Sequence, residues 1–229
     1  ANETPLASNP AEQPNVVFPR TGSDTQTVAV VSGVASVRAT AYSNPITNTA
    51  ENQPLNAADG NPDTAWTEGA FSPATDESIQ VELVHPVATD HITLLQPQTG
   101  PRNRTVTEVT LTFDGRSPVT VPLGAASTTT PGQVVSFPSR TFRTVTVTVD
   151  ATSAGQRKDY RSQSAVGFAE ITIPGVAPAT EALRLPTDLW RATGSASACH
   201  RLDLVMTRIR TQVTPPRSDP EASMARLFT

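Results

Sequence analysis

Residues 106–123 read VTEVTLTFDGRSPVTVPL, and this stretch has the pattern of a β-hairpin. Val109, Leu111 and Phe113 alternate with polar residues, as in a strand that buries one face. The dipeptide Asp-Gly at 114–115 follows and favours the positive φ angles of a tight two-residue turn. A second alternating run then returns along the first. The sequence therefore predicts two antiparallel strands at this point of the chain.

Further short strands surround this hairpin in the sequence. The run SIQVELV places Ile79, Val81 and Leu83 on one face and polar residues on the other. At 142–151, FRTVTVTVDA alternates valine and threonine in the same way. Shorter runs rich in β-branched and apolar residues are found at 27–43, 91–96, 134–138 and 166–174. About eight strands without helical periodicity before residue 176 predict an all-β fold, an antiparallel β-sandwich or jelly roll.

The composition agrees with a β-protein and argues against several functional classes. The 229 residues are 17% charged and 5% aromatic, include 21 prolines and carry a formal net charge of -4. That charge, without a long basic run, argues against a nucleic-acid ligand. The single cysteine, Cys199, excludes an internal disulfide framework. The longest apolar run, at 28–35, is far shorter than the roughly 18 residues of a membrane-spanning helix.

By composition the chain divides into three parts. Residues 1–27 are rich in proline and polar residues and are typical of an extended lead-in or linker. Residues 28–175 hold the predicted strands. Residues 176–229 mix helix-compatible pieces with proline and arginine, and the apolar spacing over 200–210 fits either a helix or an irregular connector. We expect this last part to lead to another domain of a longer protein.

The segment 56–66, NAADGNPDTAW, is richer in oxygen ligands than a surface turn requires. Asp59, Asn61, Asp63 and Thr64 all lie on one loop that glycine and proline bend. Hard cations such as calcium bind roughly six to eight oxygens from carboxylates, carbonyls, amides and hydroxyls. The loop is therefore a candidate cation site.

A loop alone leaves a cation half exposed, so a distant carboxylate would have to complete the site. Glu170 is the candidate, because it lies in the closing strand at 166–174, where an unpaired carboxylate facing the domain would be costly. The alternative is that the loop is only a double turn and that Glu170 faces water. The residues alone leave both interpretations open.

No arrangement of residues in the sequence indicates catalysis. The three histidines, His85, His91 and His200, are far apart and lack the spacing of a zinc site. The chain has no GxSxG nucleophile motif and no phosphate-binding loop. The adjacent Asp76 and Glu77 are interpreted as solvated loop carboxylates rather than as a glycosidase pair. We therefore expect no catalytic residues in this chain.

Three loops combine charge or aromatic character with groups that recognise sugars. They cover 67–77, 96–104 and 155–164. Aromatic faces pack on the C–H surfaces of sugars, while guanidinium and amide groups hydrogen-bond to hydroxyls. The predicted ligand-binding residues are Arg102, Asn103, Arg104, Arg157, Tyr160, Arg161 and Phe71. The alternative is that the loops are ordinary charged surface and that Phe71 only anchors its loop beneath the sheet.

Three runs together resemble the factor V/VIII type C, or discoidin-like, domain family. They are NAADGNPDTAW at 56–66, SIQVELVHPVATDHITLL at 78–95 and VGFAEITIPG at 166–175. The resemblance implies a galactose-binding-domain-like jelly roll in which Trp66 is a core residue. It also implies a structural calcium ion. The ligands that carry over are the Asn56 carbonyl, the Asp59 carboxylate, Asn61, Thr64, the Ala169 carbonyl and the Glu170 carboxylate.

A second resemblance extends through the C-terminal part of the chain. LRLPTDLWRA at 183–192 and the run at 200–228 are similar to the extracytoplasmic part of the mycobacterial arabinofuranosyltransferase AftD family. Members of that family are membrane enzymes that extend cell-wall arabinan and carry carbohydrate-binding modules outside the membrane. The resemblance implies a non-catalytic module whose partners are an arabinan-like glycan and other domains of the same polypeptide. The alternative is a docking module that packs against those domains and binds no glycan.

Overall fold

The structure is a computed structural model of the chain, and it describes residues 27–43, 52–69, 73–97, 103–154, 163–184, 206–209 and 225–228. The described part is almost entirely β-structure. Its strands are β1 (Thr27–Ser32), β2 (Ser36–Ala39), β3 (Trp66–Glu68), β4 (Ser78–Leu95), β5 (Val106–Phe113), β6 (Arg116–Pro122), β7 (Gln133–Thr152), β8 (Val166–Phe168), β9 (Glu170–Thr172), β10 (Thr180–Arg184), β11 (Met206–Ile209) and β12 (Ala225–Phe228). Two short 3₁₀ helices, Pro54–Ala57 and Ala125–Thr128, lie in the connections.

The strands form three sets of antiparallel ladders. The largest sheet has the order β2-β4-β7-β5-β6, and β9 pairs with the far end of β4. Strands β3 and β8 form a separate ladder, and the third sheet has the order β10-β1-β12-β11. This architecture confirms the predicted antiparallel β-sandwich.

The hairpin predicted at 106–123 is present as β5 and β6. Asp114 and Gly115 have φ angles of 48° and 70°, as both central residues of a type I′ turn require. The Asp114 carboxylate also accepts hydrogen bonds from the backbone amides of Arg143 and Thr144 on β7, at 3.0 and 2.8 Å. The turn is thus held by its own residues and by the neighbouring strand.

Two strands are longer than the sequence pattern predicts. Strands β4 and β7 each join two runs that the pattern separates at a proline. Pro86 and Pro138 lie where the β4–β7 ladder breaks register, so neither has a ladder partner whose hydrogen bond its ring would remove. The chain therefore stays extended through both prolines.

The core lies against one face of the largest sheet. Val147 on β7 is the ladder partner of Ile79 on β4 and of Leu111 on β5, and all three side chains are fully buried. Beyond the second register break, β4 buries Ile92 and Leu94 on the core side, and its last residue, Leu95, is buried as well. Each such side chain contributes about 1.5–3 kcal/mol of burial free energy. The end of β4 then pairs with β9, which carries Glu170.

The C-terminal part of the chain contains strands where a helix or irregular connector is predicted. Strand β10 pairs with β1, and β11 and β12 continue the same sheet. For 206–209 the helical alternative is therefore wrong. A run of four apolar positions is compatible with either structure, and pairing with a strand distant in the sequence decides between them.

Candidate functional site

The oxygen-rich loop predicted to bind a cation follows the 3₁₀ helix Pro54–Ala57 and leads into β3. One oxygen of the Asp59 carboxylate accepts a hydrogen bond from the Asn61 amide at 2.9 Å, and the other from the Thr64 hydroxyl at 2.8 Å. The Thr64 amide and hydroxyl also lie at 3.1 and 2.8 Å from the Asn61 carbonyl oxygen. Gly60 has a φ of 78°, which L side chains rarely adopt. The loop therefore curls around the Asp59 carboxylate.

Glu170 faces this loop from β9. Its side chain is hydrogen-bonded to Asp59 and to the amides of Gly60 and Asn61, whereas its Oε1 atom is buried and has no hydrogen-bond partner. Burial, the largest cause, and the negative charge of Asp59 together raise the pKa of Glu170 to about 7. Glu170 is only 8% exposed, so the interpretation in which it faces water is wrong. Two carboxylates share a poorly solvated space, which is costly unless a proton or a cation neutralises them.

The remaining predicted ligands are neutral and lie next to these carboxylates in the sequence. Asn56 is buried, and its side-chain oxygen accepts a hydrogen bond from Gln53 at 3.2 Å. Ala169 donates its amide to the Leu95 carbonyl at 2.7 Å, which fixes the start of β9 against β4. Among the described residues there is no group of three or more acidic, histidine or cysteine side chains that could hold a metal. Two carboxylates with neutral oxygens fit a hard cation such as calcium better than a transition metal.

The segment that leads into β10 covers the outer side of residues 58–65, the candidate cation loop. Ala179 donates its amide to the Ala58 carbonyl at 2.6 Å. A Cβ atom on Gly60 would lie 3.0 Å from the Pro178 ring, so this close approach needs glycine. A cavity of about 90 Å³, lined mainly by apolar side chains, lies between this segment, the loop and Glu170.

The β3–β8 ladder runs from the cation loop to a second group of polar residues. Trp66 pairs with Phe168 at the end nearer the loop, and their rings stack with centroids 6.2 Å apart. The Trp66 indole N–H donates to the Ala41 carbonyl at 2.9 Å, and the side chain is fully buried. Trp66 is therefore a core residue, as the family resemblance implies. Glu68 pairs with Val166 at the other end.

Arg104 joins three connections at that other end. Its Nε donates to the Ser164 carbonyl at 2.6 Å, and its Nη2 donates to the Gly69 carbonyl at 2.5 Å. Its backbone amide donates to the Ser164 hydroxyl at 2.9 Å. Only 4% of Arg104 is exposed, so the predicted role of its guanidinium in contacting a ligand is corrected: these donors are used inside the protein.

Glu68, which the sequence analysis did not single out, is buried beside Arg104. It is 1% exposed, and its Oε1 atom has no hydrogen-bond partner. Burial, the largest cause, and the charge of Glu77 together raise the pKa of Glu68 to about 8, although the charge of Arg104 opposes the shift. The period of two in β3 could have revealed it, because Glu68 shares a face with the buried Trp66.

Of the other predicted ligand-binding residues, Asn103 alone lies in the described part of the chain. Asn103 is half-buried and already has an interaction partner. The others, Arg102, Arg157, Tyr160, Arg161 and Phe71, lie outside the described residues and remain sequence-based predictions.

Comparison with known proteins gives one family and a set of similar folds. The F5/8 type C domain model matches residues 38–163. A structure of a mutant of the arabinofuranosyltransferase AftD from Mycobacteria matches with a TM-score of 0.51 and 15% identity, over 69% of this chain. The comparison with curated proteins found no match.

Two carbohydrate-binding modules also match, with lower TM-scores. One is the CBM32 of AlyQ in complex with 4,5-unsaturated mannuronic acid, at a TM-score of 0.44 and 18% identity over 62% of this chain and 96% of that one. The other is CpGH89CBM32-5 from Clostridium perfringens, in complex with GalNAc-β-1,3-galactose. It matches with a TM-score of 0.42 and 18% identity, over 65% of this chain and 95% of that one.

This chain spans only 12% of the length of the AftD structure. No helix in the part of the chain that the structure describes has the length and apolar character needed to span a bilayer.

Proposed function

Because the chain belongs to the F5/8 type C domain family, we propose that it is a carbohydrate-binding module whose ligand is an arabinan-type cell-wall glycan. The family and its fold support a binding role. The fold shared with a part of AftD supports the choice of glycan, since that protein is an arabinofuranosyltransferase. The module contributes binding and takes no part in bond breaking.

The observation that carries this proposal is the convergence of three connections at Arg104. Gly69, Arg104 and Ser164 each border one of the three loops in which the sequence predicts sugar-binding residues. Loops at one end of a sandwich can surround a ligand from several sides, which single charged loops scattered over a surface cannot do. In the proposed site, Tyr160 packs on a sugar ring while Arg102 and Arg161 donate hydrogen bonds to hydroxyls.

A calcium ion is proposed as a structural component of the module. It would be held by the two carboxylates, Asp59 and Glu170, and by neutral oxygens of Asn56, Asn61, Thr64 and Ala169. The unpartnered Oε1 of Glu170 and the shared space of the two carboxylates support this assignment. When bound, the cation neutralises these charges and ties the loop to β9.

We further propose that the module belongs to a larger membrane arabinofuranosyltransferase and lies on its extracytoplasmic side. The likeness to a part of AftD supports this arrangement. In it, the module holds an arabinan chain close to a catalytic domain elsewhere in the polypeptide. Tethering of this kind raises the local concentration of the glycan without any new catalytic contact.

The test is an NMR titration of the protein in calcium-containing buffer with branched arabinofuranosyl oligosaccharides. We expect shifts that saturate in the millimolar range or below and that are confined to the loops next to Arg104. Galactan and mannan fragments serve as ligand controls. Tyr160→Ala should abolish the shifts, whereas Tyr42→Phe, a change at a partly buried position packed against the core, should preserve them.

Two results would contradict the proposal in different ways. Equal responses to all three glycans would remove the arabinan specificity and leave a general glycan-binding module. No response to any glycan, from a protein with a well-dispersed spectrum, would favour the docking module that binds other domains of the polypeptide.

A further inference from the structure

Arg104 makes contacts that a ligand-binding arginine on an exposed loop would not make. Its guanidinium reaches across the base of its own loop to carbonyls that belong to two other connections, those of Gly69 and Ser164. A planar guanidinium presents its N–H groups in fixed directions, so it can hold two carbonyls at a defined separation. A lysine has a single flexible ammonium group and cannot replace this geometry.

We propose that Arg104 is a positioning residue of the glycan site. It fixes the ends of the three sugar-binding loops relative to one another, and the buried Glu68 side chain lies beside its guanidinium. This inference rests on the proposed glycan-binding function. It adds a residue that acts on the ligand only through the loops, so its role differs from those of Tyr160 and Arg102.

The close approach of Arg104 to Gly69 shows that the position is built for this contact. Gly69 has a φ of 76°, and a Cβ atom there would lie 3.0 Å from the Arg104 Nη2 and 2.9 Å from the Ala74 Cβ. Any other L residue would therefore be strained in conformation and would crowd the guanidinium. The glycine lets the backbone at the end of β3 approach Arg104 closely.

The loop that carries Arg104 also has a fixed base. The buried Gln96 side chain pairs with the backbone of Val106, donating to its carbonyl at 2.9 Å and accepting from its amide at 2.7 Å. Thr105 exchanges hydrogen bonds with Ser153, through the Ser153 hydroxyl at 3.0 Å and the Ser153 amide at 2.8 Å. Arg104 thus projects from a rigid stem, and its bonds carry that rigidity to the two neighbouring connections.

Glu68 is the acidic residue that interacts electrostatically with Arg104. It lies one residue before Gly69, is buried, and interacts electrostatically with both Arg104 and Glu77. The Glu77 carboxylate accepts a hydrogen bond from the Thr40 hydroxyl at 2.5 Å. A buried guanidinium needs a nearby negative charge or several acceptors, and here the carbonyls of Gly69 and Ser164 supply the acceptors. Loops ordered in advance lose less conformational entropy when a ligand binds, so the arrangement favours glycan affinity.

The experiment compares wild type, Arg104→Lys, Arg104→Gln and the control Arg143→Gln, which changes an exposed arginine on β7. Amide hydrogen exchange is followed by NMR at Gly69, Arg104 and Ser164 and, as an internal reference, in the β4–β7 core ladder. Glycan affinity is measured on the same samples with the arabinofuranosyl oligosaccharide. Both Arg104 variants should speed exchange at all three positions and weaken glycan binding by about tenfold, because the loops must then be ordered on binding. Core exchange and the control should match wild type.

The exchange measurement decides the positioning role without reference to any ligand. Unchanged exchange at Gly69 and Ser164 in Arg104→Lys would overturn the inference while leaving glycan binding intact. Faster exchange throughout the core would also overturn it, because Arg104 would then be a general stability residue. If wild type binds no glycan, the proposed function fails, and loop exchange alone then shows whether Arg104 couples the three connections.

Discussion

Among the described residues, two buried carboxylates have an oxygen without a hydrogen-bond partner, and they differ in what can neutralise them. Glu170 lies opposite Asp59, within a loop of neutral oxygens, so a divalent cation can balance both charges. Glu68 lies beside the guanidinium of Arg104 and is neutralised by a proton over much of the ordinary pH range. In the two proposals, the same residue type serves as a cation ligand in one place and as the neighbour of a positioning arginine in the other.

Calcium is expected to raise the Tm of the wild-type protein and to leave that of Glu170→Gln unchanged. At a concentration of one hundred times Kd, binding adds about 2.7 kcal/mol, which corresponds to a Tm increase of roughly 5–10 °C for a chain of this size. Asp63→Asn is the matched control, because Asp63 is an exposed carboxylate on the same loop outside the ligand set. Thermal unfolding with calcium and with a chelator measures the effect. An equal response from wild type and Glu170→Gln would rule out this ligand set.

Glu68 is expected to make the protein less stable as the pH rises from about 4.5 to about 8. The folded-state pKa is raised, so between these values the folded protein keeps a proton that the unfolded chain releases. The stabilisation is complete below the unfolded pKa and is lost as the pH approaches the folded pKa, a change on the order of 4–5 kcal/mol. Urea unfolding across this range in calcium-containing buffer should show a flatter profile for Glu68→Gln than for wild type. Glu108→Gln, at an exposed site on β5, should retain the wild-type slope.

At the scale of elements, the β3–β8 ladder connects the cation loop to the Arg104 contacts. Each strand has three residues and spans roughly 10 Å. Asp59 and Thr64 precede β3 and Gly69 follows it, while Ser164 precedes β8 and Glu170 follows it. A displacement of either strand would therefore change both groups at once.

Gly167→Ala is expected to disrupt this ladder and to weaken both calcium and glycan binding. A Cβ atom at position 167 would lie 1.9 Å from the Trp66 carbonyl oxygen, so the strands would have to separate. Overpacking of this kind costs roughly 1–3 kcal/mol or more. Gly124→Ala is the matched control, since its nearest contact would be at 3.9 Å. Titration calorimetry with each ligand measures the loss, and normal affinity for both ligands in Gly167→Ala would show that the ladder does not link the two groups.

The parts of the fold that depend on neighbouring residues could be predicted from the sequence. The β5–β6 hairpin follows from alternation and Asp-Gly, and the curled loop at Asp59 follows from its own turn residues. The continuity of β4 through Pro86 could not be predicted, because it depends on where the partner strand breaks register. The pairing of β11 with β12 depends in the same way on strands that are distant in the sequence.

For the candidate site, residue types were more predictable than their surroundings. The loop carboxylate and its partner on β9 were found because oxygen ligands cluster in the sequence and the family resemblance joins them. The orientation of Arg104 could not be predicted from the sequence, because its charge and loop position suggest exposure. Its hydrogen-bond acceptors come from connections about 35 and 60 residues away.

For the whole molecule, the described structure places the candidate cation loop and the Arg104 contacts on one sandwich, and the segment before β10 packs on the outer side of that loop. This segment, at 176–179, leads directly into the β1–β10 sheet. In a longer polypeptide, the same contacts would fix the module relative to the chain that follows it.

The most direct test of arabinan binding is a calorimetric titration of the wild-type protein in calcium-containing buffer. The ligand is a branched arabinofuranosyl oligosaccharide at up to millimolar concentration. A Kd of 1 mM corresponds to about 4 kcal/mol, which is typical of a weak individual site and still measurable. We expect saturable binding that galactan and mannan fragments of the same size do not reproduce. Absence of saturable binding to the arabinofuranosyl ligand by the folded, calcium-loaded protein would contradict this expectation.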